Sequence, residues 1–365
     1  MQPSDDFWMR LALEEALKGR FAASPNPMVG ACLVRRGRLI TKAAHLVCGG
    51  DHAEVRALRA ARRGRLSDAT LYVTLEPCAT WGKTPPCTDV IIRSGVAEVV
   101  IGMFDPNPVN HGRGVAALRK AGIKVRGPVL GREAERVNEA FVKWIQTGLP
   151  FVTLKMAQSL DGKIATPSGL ARWISSEGSR HFVHELRAEQ DAVLVGSGTF
   201  VQDNPFLSPR FRPVHKPTAK PWRVVLDRRL KAQAKARIFR GAQLTFRVIS
   251  DKTAGNVSKS EKMPGLFITV QEKKERLDMR DLLKKLAAMG AAKVLVEGGG
   301  ELAWSFLSQR LVDRACWIVA PKFFGGRTAK TAVEGEGVRL PSRAIRPREI
   351  SSFRIGEDWF FDMRF

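Results

Sequence analysis

One histidine and two cysteines constrain this chain more than any other feature. His52 opens the tripeptide His52-Ala53-Glu54, and Cys78, preceded by Pro77, is separated from Cys87 by eight residues. An imidazole and two thiolates form a zinc-type donor set, and a structural zinc site would close its fourth position with another protein group. No fourth ligand is evident close by; His45 and His111 are the possible extras. The pattern therefore reads as a catalytic ion with one position open to water, a water whose pKa such a metal lowers to about 7. Glu54 stands two residues from His52 at the start of a predicted helix, in reach of that water rather than of the metal, where a carboxylate takes up a proton and hands it on. Cys87 follows Pro85-Pro86. Proline fits the first turn of a helix, and a helix N-terminus favours the thiolate.

The segments around these residues alternate in type. Apolar residues at helical spacing predict a helix over Phe7–Leu17, with Ser4 or Asp5 as its cap. Strands are predicted at Met28–Arg35, Thr70–Leu75, Ala97–Met103 and Ile123–Arg126, and helices at Ala53–Arg63, Thr88–Ser94, Gly114–Ala121 and Arg132–Gln146. Such alternation specifies an α/β sheet with helices on its faces. A chain of 365 residues is too long for one ordinary core. Gly148-Leu149-Pro150 punctuates it, and the expected domains are 1–147 and 148–365. The second half repeats the alternation, with strands at Phe151–Met156, Asp191–Val195, Trp222–Leu226, Leu244–Ile249, Gly265–Val270, Lys293–Val296 and Ala315–Ala320. Its helices are predicted at Ser176–Glu189, Met279–Met289 and Glu301–Arg310, and Pro205–Lys220 reads as a long loop.

The spacing of His52, Glu54, Pro77 and Cys78 matches the H-x-E and P-C halves of the zinc nucleobase-deaminase signature, with the usual C-x-x-C stretched to Cys78-x8-Cys87. Asn26, in the turn Asn26-Pro27 before the first strand, offers both a donor and an acceptor to the edge of a pyrimidine. The rival reading is a deaminase acting on nucleic acid or nucleotides, with a degenerate second domain. Its support is charge: the chain carries 60 Lys and Arg against 36 Asp and Glu, a formal +24, with eleven basic residues and one acid between Arg210 and Arg240. Single-strand binders interleave such charge with base-stacking aromatics, whereas Tyr72 is the only tyrosine here and the basic stretch has few aromatic residues. The charge reads first as a solvated surface trait with no partner and next as an attraction for phosphate-bearing small ligands, and no nucleic-acid partner is expected. No apolar run approaches the ~20 residues of a membrane span, the first residues carry acids where a signal peptide would be basic, and the cytoplasm is the expected compartment. Five scattered cysteines agree with a reducing environment; Cys48 reads as a small buried residue.

In the second domain, Val294-Leu295-Val296-Glu297 runs into Gly298-Gly299-Gly300 and then a helix. Glycines permit close backbone approach, and the N–H groups of a helix start attract phosphate. A second glycine turn, Gly196-Ser197-Gly198-Thr199, ends another apolar strand. This is not the G-x-G-x-x-G dinucleotide fingerprint. The two turns fit a ligand with several phosphates, and Arg187 and Arg210 are candidates to hold a substrate phosphate through their planar donors.

In order along the chain stand HAEVRAL, TLEPCATWGKTPPC, DPNP (Asp105–Pro108), KMAQSLDGKIA (Lys155–Ala165), RWIS (Arg172–Ser175), LRAEQDAVLVGSGTFVQDNPFLSPR (Leu186–Arg210) and VLVEGGG. The series closely resembles the bifunctional diaminohydroxyphosphoribosylaminopyrimidine deaminase/5-amino-6-(5-phosphoribosylamino)uracil reductases of riboflavin biosynthesis, over about residues 5 to 360. The resemblance implies a cytidine-deaminase-like three-layer α/β domain followed by a dihydrofolate-reductase-like α/β domain, with one zinc ion in the first and NADPH in the second. It implies a phosphorylated pyrimidine substrate, and a homo-oligomer is expected from the family alone.

Carried over by position, the resemblance gives His52, Cys78 and Cys87 to zinc and Glu54 to proton transfer. Ala157, Trp173, Thr199 and Asp203 fall where the family contacts NADP, and Gly298, Gly299 and Gly300 fit its cofactor-phosphate turn. Ala171, Arg187, Leu207, Arg210 and Glu297 fall where it holds the reductase substrate. The chain departs from the pattern at Thr80, where a histidine is common, and at Ala171, where a serine is common and a substrate hydrogen bond is lost.

Overall fold

The computed structural model describes residues 3–61, 66–82, 85–210, 221–230, 233, 235–255 and 264–365. These fall into two compact units that divide between Gly148 and Leu149.

In the first unit α1 (Asp5–Ala16) is capped by Ser4, whose hydroxyl accepts from the N–H of Phe7 at 3.4 Å. Then follow β1 (Gly30–Arg35), β2 (Arg38–Ala44), α2 (Ala53–Ala60), β3 (Ala69–Val73), α3 (Cys87–Ser94), β4 (Glu98–Ile101), α4 (Arg113–Lys120), β5 (Lys124–Arg126), α5 (Gly131–Val137) and α6 (Glu139–Thr147). The predicted end of α2 at Arg63 lies outside the described residues. The sheet runs β2-β1-β3-β4-β5. β1 is antiparallel to β2 and β3, and β3, β4 and β5 are parallel. Two helix groups, α1 with α5 and α2 with α3 and α4, cover this sheet and make the three layers. β1 is buried along five of its six residues, as a central strand covered on both faces must be.

Two departures from the sequence expectations have local causes. Arg38–Ala44, to which the sequence reading assigned no element, is an edge strand, exposed or half-exposed over its first five residues, where burial leaves no alternating pattern. The single helix predicted over Arg132–Gln146 is interrupted at Asn138. Asn138 is buried, and its side chain accepts from the N–H of Met28 at 2.8 Å and donates to the Met28 carbonyl at 3.0 Å. That pair holds the Asn26-Pro27-Met28 turn in place.

The second unit contains β6 (Phe151–Ser159), α7 (Glu177–Ala188), β7 (Ala192–Val195), α8 (Ser197–Asp203), β8 (Trp222–Leu226), β9 (Thr245–Ser250), β10 (Leu266–Val270), the short pair β11 (Glu272–Lys273) and β12 (Arg276–Leu277), α9 (Met279–Ala288), β13 (Lys293–Glu297), α10 (Gly300–Ser308), β14 (Arg314–Ala320), β15 (Glu349–Ile355) and β16 (Asp358–Arg364). Nine strands form one sheet in the order β10-β9-β8-β7-β13-β6-β14-β16-β15, with every pairing parallel except those that β16 makes with β14 and β15. Two apolar clusters, one centred on Val152, Leu194 and Leu283 and the other on Val193, Leu295 and Phe360, fill the unit. The glycine turn after β7 corrects the expectation of a simple turn: Gly196 caps α8. Strand order reverses beside β6, with β13 inserted between it and β7. In open parallel sheets ligands bind beyond the carboxyl ends of the strands at such a switch point. The predicted Pro205–Lys220 loop is irregular from Asn204 to Arg210, and the rest of it lies outside the described residues.

Replacing Asn138 with alanine leaves the half-buried Met28 N–H and carbonyl without their partner, at a cost of about 1 kcal/mol. The thermal midpoint of Asn138→Ala is therefore expected to fall, together with its rate of deamination. An unchanged midpoint would contradict the role given to this residue.

Candidate active sites

The zinc-type residues meet at one point. His52 is the cap residue of α2, Cys87 is the first residue of α3, and Cys78 stands in the loop that follows β3. His52 Nδ1 lies 3.0 Å from Cys87 Sγ and 3.7 Å from Cys78 Sγ, and the three ligand atoms all lie within 4.8 Å of one another. Among the described residues no further His, Cys, Asp or Glu joins the group. Cys87 hydrogen-bonds to Cys78 and pulls its thiol down to about 4, with His52 assisting, while Cys87 is itself pushed up. The Cys87 N–H, at the start of α3, also donates to Cys78 Sγ at 3.3 Å. A soft donor set with one nitrogen and two sulfurs fits zinc with a fourth position open.

The loop carrying Cys78 is held by residues that sequence reasoning missed. The Glu76 carboxylate accepts from the N–H groups of Gly112 at 2.9 Å, Val115 at 3.1 Å and Asp105 at 3.2 Å. Asn110 accepts from the Ala79 N–H at 2.8 Å and donates to Asp105 at 3.0 Å. At Gly114 a Cβ would stand 1.9 Å from the Pro77 carbonyl oxygen, so only glycine lets α4 approach the loop. The segment from Asp105 to Val115 thus clamps the loop that carries Cys78. Its polar residues carry no such signal by themselves, because the contacts span some thirty positions.

Glu54 is 3% exposed, and its Oε2 has no hydrogen-bond partner. Burial pushes its carboxyl above the usual range. A buried carboxylate beside a metal-ligand set, with an oxygen unsatisfied by protein, is what a proton shuttle to an incoming ligand requires. His45 packs edge-on against His52 at 5.3 Å between ring centroids. Its Nδ1 lies 3.2 Å from the Asp51 carbonyl, which only accepts, so Nε2 accepts from Asn26 Nδ2 at 3.2 Å. His45 is thereby engaged as a support for Asn26 and not as a ligand. His111 is turned to the Asp105 carbonyl at 2.9 Å. Cys48, half-buried rather than buried, donates to Asn26 Oδ1 at 3.7 Å. Thr80 is half-buried, and Trp81 beside it is exposed.

In the second unit a cavity of about 890 Å³ opens at the carboxyl ends of the strands near β6. Ala157, Ala171, Trp173, Arg187, Thr199, Asp203, Leu207, Arg210, Glu297, Gly298, Gly299 and Gly300 all line it. The two glycine turns are adjacent: a Cβ on Gly298 would stand 3.7 Å from the Gly196 nitrogen. A Cβ on Gly299 would touch only Ile164, at 3.9 Å, so the backbone there lies open to the cavity at the start of the nine-residue α10. An open glycine cradle at a helix start fits the phosphates of a dinucleotide.

Arg187 is less available than sequence reasoning expected. Its guanidinium grips Glu297 through two hydrogen bonds of 2.5 and 2.8 Å. Burial opposes the charge on Glu297, but Arg187 outweighs it and holds the carboxyl down at about 2. Beside this pair stands Lys155, whose ammonium burial pushes below its usual value while Glu297 partly restores it. His184 is brought to about 4 by burial and by Arg187 and Arg210, and its Nδ1 accepts from the Arg210 N–H at 3.2 Å. Lys155 and His184 were not singled out from sequence. Trp173 is 62% exposed, with the Arg180 guanidinium 4.5 Å above its ring. Leu207 is buried at a positive φ of 56°, and burial raises the Asp203 carboxyl.

The family model described as the RibD C-terminal domain matches residues 150–361, and the cytidine and deoxycytidylate deaminase zinc-binding region matches residues 2–103. Riboflavin biosynthesis protein RibD of Aquifex aeolicus is 40% identical across 97% of this chain and 96% of its own length, and that of Actinobacillus pleuropneumoniae 38% across 97% and 94%. The chain belongs to the RibD family. RibD of Acinetobacter baumannii superimposes with a TM-score of 0.87 at 32% identity, covering 99% of this chain and 98% of that one. The deaminase/reductase of Thermotoga maritima gives 0.84 at 35%, covering 98% of each. As a RibD-family member this protein is a bifunctional zinc-dependent deaminase and NADPH-dependent reductase of riboflavin biosynthesis. The alternative of a nucleic-acid or nucleotide deaminase with a degenerate second domain is not favoured. No helix among the described residues is long and apolar enough to cross a membrane.

Because the Glu297 carboxyl sits at about 2 in the folded chain against an ordinary 4.5, the pair stabilises the fold fully above pH 4.5 and loses that contribution as pH falls towards 2. In acid titrations followed by circular dichroism, wild type is expected to lose stability more steeply across this window than Glu297→Gln. Parallel curves for the two proteins would contradict the buried pair.

Proposed function

We propose that the first unit hydrolyses the 2-amino group of 2,5-diamino-6-(5-phosphoribosylamino)pyrimidin-4(3H)-one and releases ammonia. The second unit then reduces the ribosyl chain of the resulting 5-amino-6-(5-phosphoribosylamino)uracil to ribityl. The observation that carries the first half is Glu54, buried beside His52, Cys78 and Cys87 with one carboxylate oxygen unsatisfied by protein. His52, Cys78 and Cys87 would hold the zinc, which when bound makes a water acidic enough to attack at neutral pH. Glu54 takes that water's proton and delivers it to the departing amine. Asn26, oriented by His45, meets the donor and acceptor edge of the pyrimidine.

The reading assigns residues 1–147 to the deaminase and 148–365 to the reductase. NADPH, when bound, supplies the hydride. Gly298, Gly299 and Gly300 cradle its phosphates, and Ala157, Trp173, Thr199 and Asp203 line the wall around it. Arg210 takes the substrate phosphate, its main chain anchored on the neutral ring of His184. Arg187 and Glu297 form a fixed pair that orients the sugar hydroxyls, with Leu207 and Ala171 shaping the substrate end. Lys155, half-buried in the cavity wall beside that pair, holds the proton that the reduced side chain takes up. A homo-oligomer in the cytoplasm completes the proposal, supported by the kinship with small-molecule enzymes alone.

Glu54→Gln is expected to abolish ammonia release, by at least about 100-fold for a lost general acid–base, while retaining one zinc per chain by atomic absorption. Turnover at the wild-type rate would sink the shuttle assignment. Arg210→Ala is expected to raise the reductase KM for the phosphorylated substrate about tenfold with kcat little changed. A change confined to NADPH affinity would mean that this residue serves the other ligand.

A further inference from the structure

At the substrate end of the cavity in the second unit the two arginines are not equal. Arg187 already gives its Nε and Nη2 to Glu297 at 2.5 and 2.8 Å. Arg210, exposed on the same cavity, is left as the guanidinium for a phosphate. One guanidinium edge meets two phosphate oxygens side by side. A phosphate presents three, and the third calls for another donor. One turn before Arg187 on α7 stands His184, on the same side of the helix by its spacing of three. It is half-buried and lines the cavity.

Hydrogen bonding fixes the form of this imidazole. His184 Nδ1 lies 3.2 Å from the Arg210 N–H, and a backbone N–H can only donate. Nδ1 is therefore unprotonated, and in the neutral ring the proton sits on Nε2. The surroundings keep the ring neutral. Burial opposes a charge there most, and Arg187 on the same helix and Arg210 from the segment after α8 oppose it further. Glu297, at the end of β13, works the other way, His181 one turn back on α7 sides with the arginines, and the imidazole is brought down to about 4. Among the described residues Nε2 bonds no protein group. With Nδ1 spent on Arg210, the Nε2–H is the donor that the ring keeps for the contents of the cavity.

We propose that His184 is a ligand of the phosphate of the reductase substrate: Nδ1 holds the main chain of Arg210, and Nε2–H donates to a phosphate oxygen. The proposal rests on the reading that Arg210 takes that phosphate. It gives the anion a directed donor without setting a third cation beside Arg187 and Arg210. The other role open to the ring is to prop Arg210 and nothing more, and the two roles fall on different atoms. An asparagine places its amide oxygen where Nδ1 stands and reaches no further, so it keeps the prop and removes the donor.

The test compares wild type, His184→Asn and Arg210→Ala as full-length proteins. His184→Asn is expected to raise the reductase KM for 5-amino-6-(5-phosphoribosylamino)uracil ~10- to 100-fold, the scale of one hydrogen bond to a charged group. The KM for NADPH and kcat are expected to change little. A wild-type substrate KM in His184→Asn, with Arg210→Ala impaired, would overturn the proposal alone and leave His184 as a prop. Unchanged substrate KM in both variants would overturn the phosphate reading and this proposal with it. Nitrogen NMR of histidine-labelled wild type supplies a readout independent of turnover, with the His184 signals identified by their loss in His184→Asn. The ring is expected to show the neutral Nε2–H form from pH 5.5 to 8, and its Nε2 signal to move on addition of ribose 5-phosphate but not of ribose. A ring that titrates near the ordinary 6.5, or an Nε2 signal that ribose 5-phosphate leaves in place, would contradict the assignment.

Discussion

Burying a carboxylate with an unsatisfied oxygen is costly unless a partner is brought to it, and Glu54 imposes that requirement on the first unit. The surroundings answer it with a rigid frame. His52 and Cys87 are fixed because each stands at the mouth of a helix, and Cys78 is fixed because Glu76, Asn110 and the absent side chain of Gly114 pin its loop. The helix starts and the loop all sit just past strands of one sheet, so small shifts in the sheet would move ligands and carboxylate together. Charge and metal chemistry are thereby confined to a volume that the protein need not reorganise during turnover.

The second unit solves a different problem, holding a long polyanion against a substrate that is also an anion. It brings the glycine turns after β7 and β13, Arg210 and the Arg187–Glu297 pair to one cavity. Glu297 keeps Arg187 from competing for phosphate, because a guanidinium engaged in two short hydrogen bonds to a buried carboxylate is not free to turn. Nine of the 60 Lys and Arg residues line this cavity, so most of the +24 net charge lies elsewhere on the chain.

The central strands were legible because strands such as Ala192–Val195 and Lys293–Glu297 are buried on both faces and read as apolar runs, whereas the order of the strands in the sheet was not. The edges were not. β2 and β15 are exposed over most of their length and form because a neighbouring strand offers hydrogen bonds, which leaves no periodic signal. The break at Asn138 depends on Met28, 110 positions away, and no local pattern records it. The site residues show the same division. His52, Glu54, Cys78 and Cys87 were visible because ligand chemistry forces residue type and spacing together. Lys155 and His184 were hidden because lysine and histidine are common on surfaces, and only the fold reveals that both face one cavity. Arg187 shows the converse, a residue that was visible in the sequence and lines the cavity, but whose buried partner changes what it can do.

The central claim is that two chemistries run in sequence on one chain, and a coupled assay on zinc-loaded protein tests it most directly. With the diaminopyrimidinone ribosyl phosphate as substrate, ammonia release and the loss of NADPH absorbance are followed together, with and without NADPH. The account expects ammonia in both cases, and NADPH oxidation that lags behind it and matches it in amount. NADPH consumed before any ammonia appears, or neither signal from folded protein with zinc bound, would contradict it.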